Sequence, residues 1–82
     1  MLSELSTKEK VVGIKQLRKA LGEGQARKVF VARDADPKLT DPILEQCSQT
    51  GVDVEQVPTM AELGRACGIE VGAAVAALLR TI

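Results

Sequence analysis

The chain has no histidine, no tryptophan and no tyrosine, and only one phenylalanine. With a single aromatic ring it cannot build a platform that stacks successive unpaired bases, which excludes the RRM and OB modes of nucleic-acid binding. The missing histidine removes the most frequent general base. Cys47 and Cys67 stand twenty positions apart with no CxxC, so a zinc site would lack ligands and no metal is expected. No cofactor is expected either, because "GEGQAR" lacks the Lys-Ser/Thr ending of a phosphate-binding P-loop. Long hydrophobic runs are also missing. The opening "MLSELSTKEK" is too polar for a secretion signal, and "VGAAVAALL" (71–79) is too short to span a bilayer. The two thiols therefore read as reduced, mostly buried cysteines of a cytoplasmic protein.

What is present bounds the rest. The apolar fraction of 45% is that of a globular chain, and with one Phe the core must be built from Val, Leu, Ile and Ala. At 82 residues a second core cannot be made, so residues 1–82 read as one domain. The formal net charge of zero hides an asymmetry. Residues 1–33 hold eight basic residues against three acids, or +5, and residues 34–82 hold three against eight, or −5. Such a split fits one basic face better than a uniformly charged surface.

Helices and strands alternate along the chain. A short helix is predicted over about residues 3–9, with Ser3 as a possible cap, followed by a brief strand in "KVVGI". "GIKQLRKAL" (13–21) is an amphipathic helix stopped by "GEG" (22–24). Ile14, Leu17, Ala20 and Leu21 share one side, and Lys15, Gln16 and Lys19 the other. "KVFVA" (28–32) is a buried strand. The segment "DADPKLTDP" contains two helix-start signals, Asp36-Pro37 and Asp41-Pro42. The second is taken as the true start, with residues 37–40 as a leading turn and Gly51 as the stop. "VDVEQV" (52–57) alternates as a half-exposed strand. In "PTMAELGRACG" (58–68), Thr59 and Glu62 form a capping box ahead of inward-facing Met60, Leu63 and Cys67. Periodicity cannot assign "AAVAALL" (73–79), but its length and position favour a central strand. The result is an α/β domain whose four-stranded sheet is covered by helices on both faces.

Two places are not required by such a fold. In "GIKQLRK" a helix opens after glycine, leaving backbone N–H groups free for a phosphate. Lys15 and Lys19, one turn apart, can neutralise backbone charge, and Gln16 can donate and accept at a base edge. In "GIEVGAA" (68–74), Gly68 and Gly72 bracket Ile69, Glu70 and Val71, which either tuck into the core or form an apolar contact surface. Asp34 and Asp36 admit an acid–base or hard-metal reading, against which stands ordinary helix-start chemistry beside Pro37. With no His and no phosphate loop, an enzyme is not expected.

The segment Gly13-Ile14-Lys15-Gln16-Leu17-Arg18-Lys19, the strand and turn "VFVARDADP", and the ending "LGRACGIEVGAAVAAL" resemble the ribosomal protein L7Ae family. They resemble in particular its small bacterial members, which are stand-alone kink-turn RNA-binding proteins. The resemblance covers about residues 8 to 80. It implies a three-layer α/β/α sandwich with a mixed four-stranded sheet. It also implies a ligand, an RNA bent sharply at a three-nucleotide bulge beside tandem sheared G·A pairs. The family's helix motif runs Gly-x-Asn-Glu-x-x-Lys. Gly13 and Lys19 match it, while Lys15 stands in place of Asn and Gln16 in place of Glu.

Under this resemblance Lys15, Arg18, Lys19, Lys28 and Arg33 would meet phosphates, and Gln16 would read the G·A edges. Ile69, Glu70 and Val71 would rest on the bulge, Gly68 and Gly72 would allow close backbone approach, and Asp34 would lie beside the binding edge. The partner is then a structured RNA, ribosomal or riboswitch-like, bound by a monomer, with no role for DNA or a membrane. The competing reading is a protein–protein adaptor of the same fold, whose acidic half contacts a ribosomal or RNA-processing partner.

Overall fold

A computed structural model of the chain describes Leu5 and residues 9–80. The elements are β1 (Lys10–Val12), α1 (Ile14–Gly22), β2 (Ala26–Ala32), α2 (Pro37–Thr50), β3 (Asp53–Val57), α3 (Met60–Ala66) and β4 (Val75–Leu79). The expected helix over residues 3–9 falls largely outside the described residues. Leu5, which is described, is fully buried.

The strands form one mixed sheet in the order β1-β4-β2-β3. β2 and β3 are parallel, joined by α2 as crossover, and β4 runs antiparallel to both of its neighbours. Alternation along the two central strands divides the apolar side chains between two cores. Val29, Val31, Val75 and Ala77 face α1 and α2, where Leu17, Leu21, Ile43 and Cys47 complete the layer. Phe30, Ala32, Ala76 and Leu78 face α3 and meet Leu63, Cys67 and Leu5. This is the three-layer α/β/α arrangement. Strands covered on both faces lose the polar half of their alternation, which is why "VAALL" gives no period of two.

Alanine is a poor strand former, and packing explains its place in β4. Phe30 on β2 lies directly across from Ala76, and Val29 across from Ala77. A large residue on one strand fills the space left by a small one on the next, as dense packing demands.

One helix boundary differs from expectation. α2 starts at Pro37, not at Pro42, and Asp36 is its cap, accepting from the Lys38 N–H at 2.9 Å. Pro42 lies inside the helix. A proline there removes the N–H that would bond the carbonyl four residues back, but that carbonyl belongs to exposed Lys38, where water can satisfy it. The strand expected from residue 28 also begins two residues earlier, at Ala26.

Candidate nucleic-acid interface

The topology delivers three strand ends, one strand start and three helix starts to the same end of the sheet. Backbone bonds tie these junctions together. The Gly13 N–H donates to the Val75 carbonyl at 3.1 Å, and the Ala32 N–H to Ala74 at 2.9 Å. Arg33 N–H donates to Val57 at 2.8 Å, and Ala73 N–H to Met60 at 3.0 Å. Residues remote in sequence, near 13, 33, 59 and 72, therefore lie side by side on a hydrogen-bonded frame.

The three helix starts differ in how their free N–H groups are met. Asp36 caps α2, and Pro37 removes one donor outright. At α3 the Thr59 hydroxyl accepts from the Glu62 N–H at 3.1 Å, and Asp34 Oδ1 accepts from the Met60 N–H at 2.8 Å. α1 has no side-chain cap and no acidic residue in its first turn. Its N-cap is Gly13, at φ 101° and ψ 155°, a conformation open to glycine and strained for other residues. Among the described residues, the partial positive charge of a helix N-terminus is thus left uncovered at α1 alone, beside exposed Lys15 and Gln16.

Opposite this start, across the sheet end, the loop after α3 is built by a C-cap. Ile69 N–H donates to the Gly64 carbonyl and Gly68 N–H to the Arg65 carbonyl, with Gly68 at φ 80°, which is the Schellman pattern. Such caps often pack an apolar residue after the cap onto the residue three from the helix end. Here that residue is Gly64, which has no side chain to offer. Ile69 stays 37% exposed and Val71 70% exposed. Gly64 also lets the loop lie directly on α3, because a Cβ there would collide with the Val71 carbonyl oxygen. At Gly72 an added Cβ would stand 3.1 Å from the Met60 Cβ.

The expected site residues separate into groups. Gly13, Arg33, Asp34 and Gly72 are brought together at the sheet end, with Lys15 and Gln16 in the first turn of α1. Gly68, Ile69, Glu70 and Val71 run back along α3, with Ile69 bonded to Gly64 and the Val71 carbonyl seated on it. Arg18 and Lys19 continue along exposed α1, and Lys19 shares a shallow depression with Gln16 and Glu23. Lys15, Arg18, Lys19 and Arg33 are exposed and in no ion pair among the described residues. Asp34 is present at this end, but its carboxylate is engaged with the start of α3. Both carboxylates that admitted a catalytic or metal reading are thus helix-start acceptors.

Lys28 is not brought to the cluster. It sits near the beginning of β2, about 13 Å of strand away from Ala32, bonded to Glu55 at 3.1 Å and 5.1 Å from the centre of the Phe30 ring. Its hydrogen bond holds the Glu55 carboxyl below the usual range. Burial pushes the Cys47 and Cys67 thiols up, so neither is a ready nucleophile.

Comparison with known proteins agrees with the fold. The model of the ribosomal protein L7Ae/L30e/S12e/Gadd45 family matches residues 2–81. The chain belongs to that family. Among relatives in the L7Ae family, an RNA-binding protein of Geobacillus sp. (strain WCH70) is 49% identical over 70 residues, covering 85% of each chain. The RNA-binding protein YbxF of Geobacillus stearothermophilus is 44% identical over 70 residues, with the same coverage. The large ribosomal subunit protein eL8 of Halobacterium salinarum is 40% identical over 68 residues, covering 82% of this chain and 57% of eL8. Among solved structures, a 15.5 kD RNA-binding protein of Giardia lamblia superposes with a TM-score of 0.88 at 27% identity, covering 98% of this chain and 68% of that one.

Two residues beside the 68–72 loop escape a reading of the sequence alone. Gly64 positions the loop, and Arg65 is exposed beside it in a cleft with Ile69 and Val71. The available signal was Gly64 itself, since a glycine inside a helix costs about 1 kcal/mol against alanine and so implies a packing reason.

Proposed function

We propose that the protein binds RNA as a monomer and recognises the kink-turn, stabilising its bent form. One observation carries this reading. The uncapped α1 start, with Lys15 and Gln16, is hydrogen-bonded through Gly13 and Val75 to the chain that leads from exposed Ile69 and Val71. A surface with a positive dipole end on one side and an aliphatic shelf on the other suits a ligand with backbone charge and unstacked bases together. A bulge beside a bent duplex has both. Family membership and the relatives' names support the same ligand class.

In this mechanism Lys15, Arg18, Lys19 and Arg33 contact phosphates. Gln16, which has a carbonyl acceptor and an amide donor, reads the edges of the G·A pairs. Ile69 and Val71 hold the bulged nucleotides. A free junction exchanges between extended and kinked forms, and a protein that binds only the kinked form shifts that population. The ligand in the cell is then a structured RNA of ribosomal or riboswitch type. The test is a gel-shift titration at fixed salt with a kink-turn duplex and a partner whose G·A pairs are replaced by Watson–Crick pairs. Strong preference for the intact motif is expected. Equal, weak binding to both would sink the kink-turn reading and bring the adaptor reading forward.

A further inference from the structure

We propose that the cleft between α3 and the 68–72 loop is a guanine subsite, taking one unpaired guanosine of the bound RNA. This rests on the RNA-binding reading and adds base identity at the bulge, beyond the G·A edges assigned to Gln16. The cleft has a volume of about 320 Å³ and is lined by Ala61, Arg65, Ile69, Glu70, Val71 and Gly72. That is the small end of ligand-sized sites, with room for a nucleotide rather than a folded partner.

Its chemistry is specific. Arg65 comes from the last turn of α3 and Glu70 from the loop, and both are exposed. Opposite charges lining one cleft would ordinarily close on each other. Among the described residues neither makes a side-chain hydrogen bond or ion pair, so a donor fork and a two-oxygen acceptor remain open to a ligand. A carboxylate only accepts. Guanine alone of the four bases presents two adjacent donors on one edge, N1–H and the N2 amino group, matching the two oxygens. Adenine and cytosine offer one amino group next to an acceptor, and uracil one N–H between two carbonyls. Arg65, a cation with five donors, takes the phosphate of the same nucleotide. With no ring available for stacking, the base rests on Ile69 and Val71.

Two further features favour a nucleotide as the occupant. Gly72 lies against Met60 at the start of α3, which also holds the Asp34 carboxylate, so the cleft adjoins the sheet-end cluster. The walls are also fixed in advance. The Ile69 and Ala73 N–H groups bond α3 carbonyls at 3.0 Å each, and Gly64 seats the loop against the helix. Less ordering therefore remains to be done on binding.

The experiment uses kink-turn RNAs in which each of the three bulge positions in turn is G, A, C, U or inosine. Each is titrated at several salt concentrations against the natural protein, Glu70→Gln and Arg65→Ala. At one position guanosine is expected to bind about tenfold tighter than the other bases, the effect of a charge-assisted hydrogen bond. Inosine, which lacks the N2 amino group, should lose most of that advantage. Glu70→Gln should collapse the guanosine-to-uridine ratio to near one, and Arg65→Ala should flatten the salt dependence by roughly one unit of slope. Both side chains are exposed, and matched thermal melts verify that the variants fold.

Equal affinity for every base at all three positions overturns the subsite, as does a guanosine preference that survives Glu70→Gln. The same base series in a plain bulge without G·A pairs separates the two readings. Loss of kink selectivity with base preference kept fails the kink-turn reading alone. Kink selectivity without base preference fails the subsite alone, and absence of RNA binding overturns both.

Discussion

α1 and α3 start at the same end of the sheet and are finished in opposite ways. α3 has two of its first N–H groups taken by side chains, one from Thr59 beside it and one from Asp34, 26 residues away. α1 starts on a glycine that offers nothing. A cap is worth about 1 kcal/mol, so α1 forgoes stability that the chain secures at both other helices. That stability is left out at the start flanked by Lys15, which is unpaired among the described residues, and there an anion can restore it. The same contrast holds between the molecule's basic side chains. Lys15, Arg18 and Lys19 on α1, and Arg33, are unpaired among the described residues, whereas Lys28, at the other end of β2, is bonded to Glu55.

Substitutions can sharpen or break this comparison. The largest effect is expected at Gly64→Ala. The new Cβ collides with loop backbone, so a loss of about 2 kcal/mol is expected, seen as a lower melting temperature together with weaker RNA binding. A variant as stable and as tight as the natural protein would show that the loop's seat on α3 is irrelevant.

Next comes Asp34→Ala, which leaves the Met60 N–H without its acceptor and should cost about 1 kcal/mol in denaturant titrations. If Asp34 were instead a contact of the RNA, affinity would change and stability would not.

Lys19→Ala should leave stability within about 0.5 kcal/mol and reduce the slope of log affinity against log salt by roughly one unit. An unchanged slope removes Lys19 from the phosphate contacts.

Smallest is Lys28→Ala. Its pair with Glu55 is solvent-screened, so a double-mutant cycle should give well under about 1 kcal/mol, and the salt slope for RNA should not move. The pair also sets a pH dependence. Because Lys28 lowers the folded-state pKa of Glu55, the contribution is present above the unfolded value and fades as pH falls through the folded one. Melts of Lys28→Ala at neutral and acid pH should therefore differ from the natural protein only at the neutral end.

Much of this is legible in the sequence. The Thr59-to-Glu62 cap, the Gly51 and Gly68 stops and the amphipathic face of α1 are local signals, fixed by residues within a turn of each other. Local signals fail when two compete. Asp36-Pro37 and Asp41-Pro42 are equivalent as sequence, and the choice between them depends on where the chain leaves β2. Ala35, buried after the Ala32 turn, fixes that exit and makes Asp36 the cap. Lys28 shows the complementary limit. Its charge was visible, but its distance from the cluster follows from strand direction, and its partner lies on β3.

The sequence by itself determined the alternation of elements, the aliphatic core, the basic first half and the glycine-opened helix with Lys15 and Gln16. These follow from composition and from contacts between near neighbours. Only the tertiary structure decided that Asp34 would cap a helix 26 residues on. It alone decided too that Gly64 would make room for the Val71 carbonyl, and that Arg65 and Glu70 would share a cleft without pairing. Each of those depends on which strand ends meet at the edge of the sheet, and that is set by packing two cores at once.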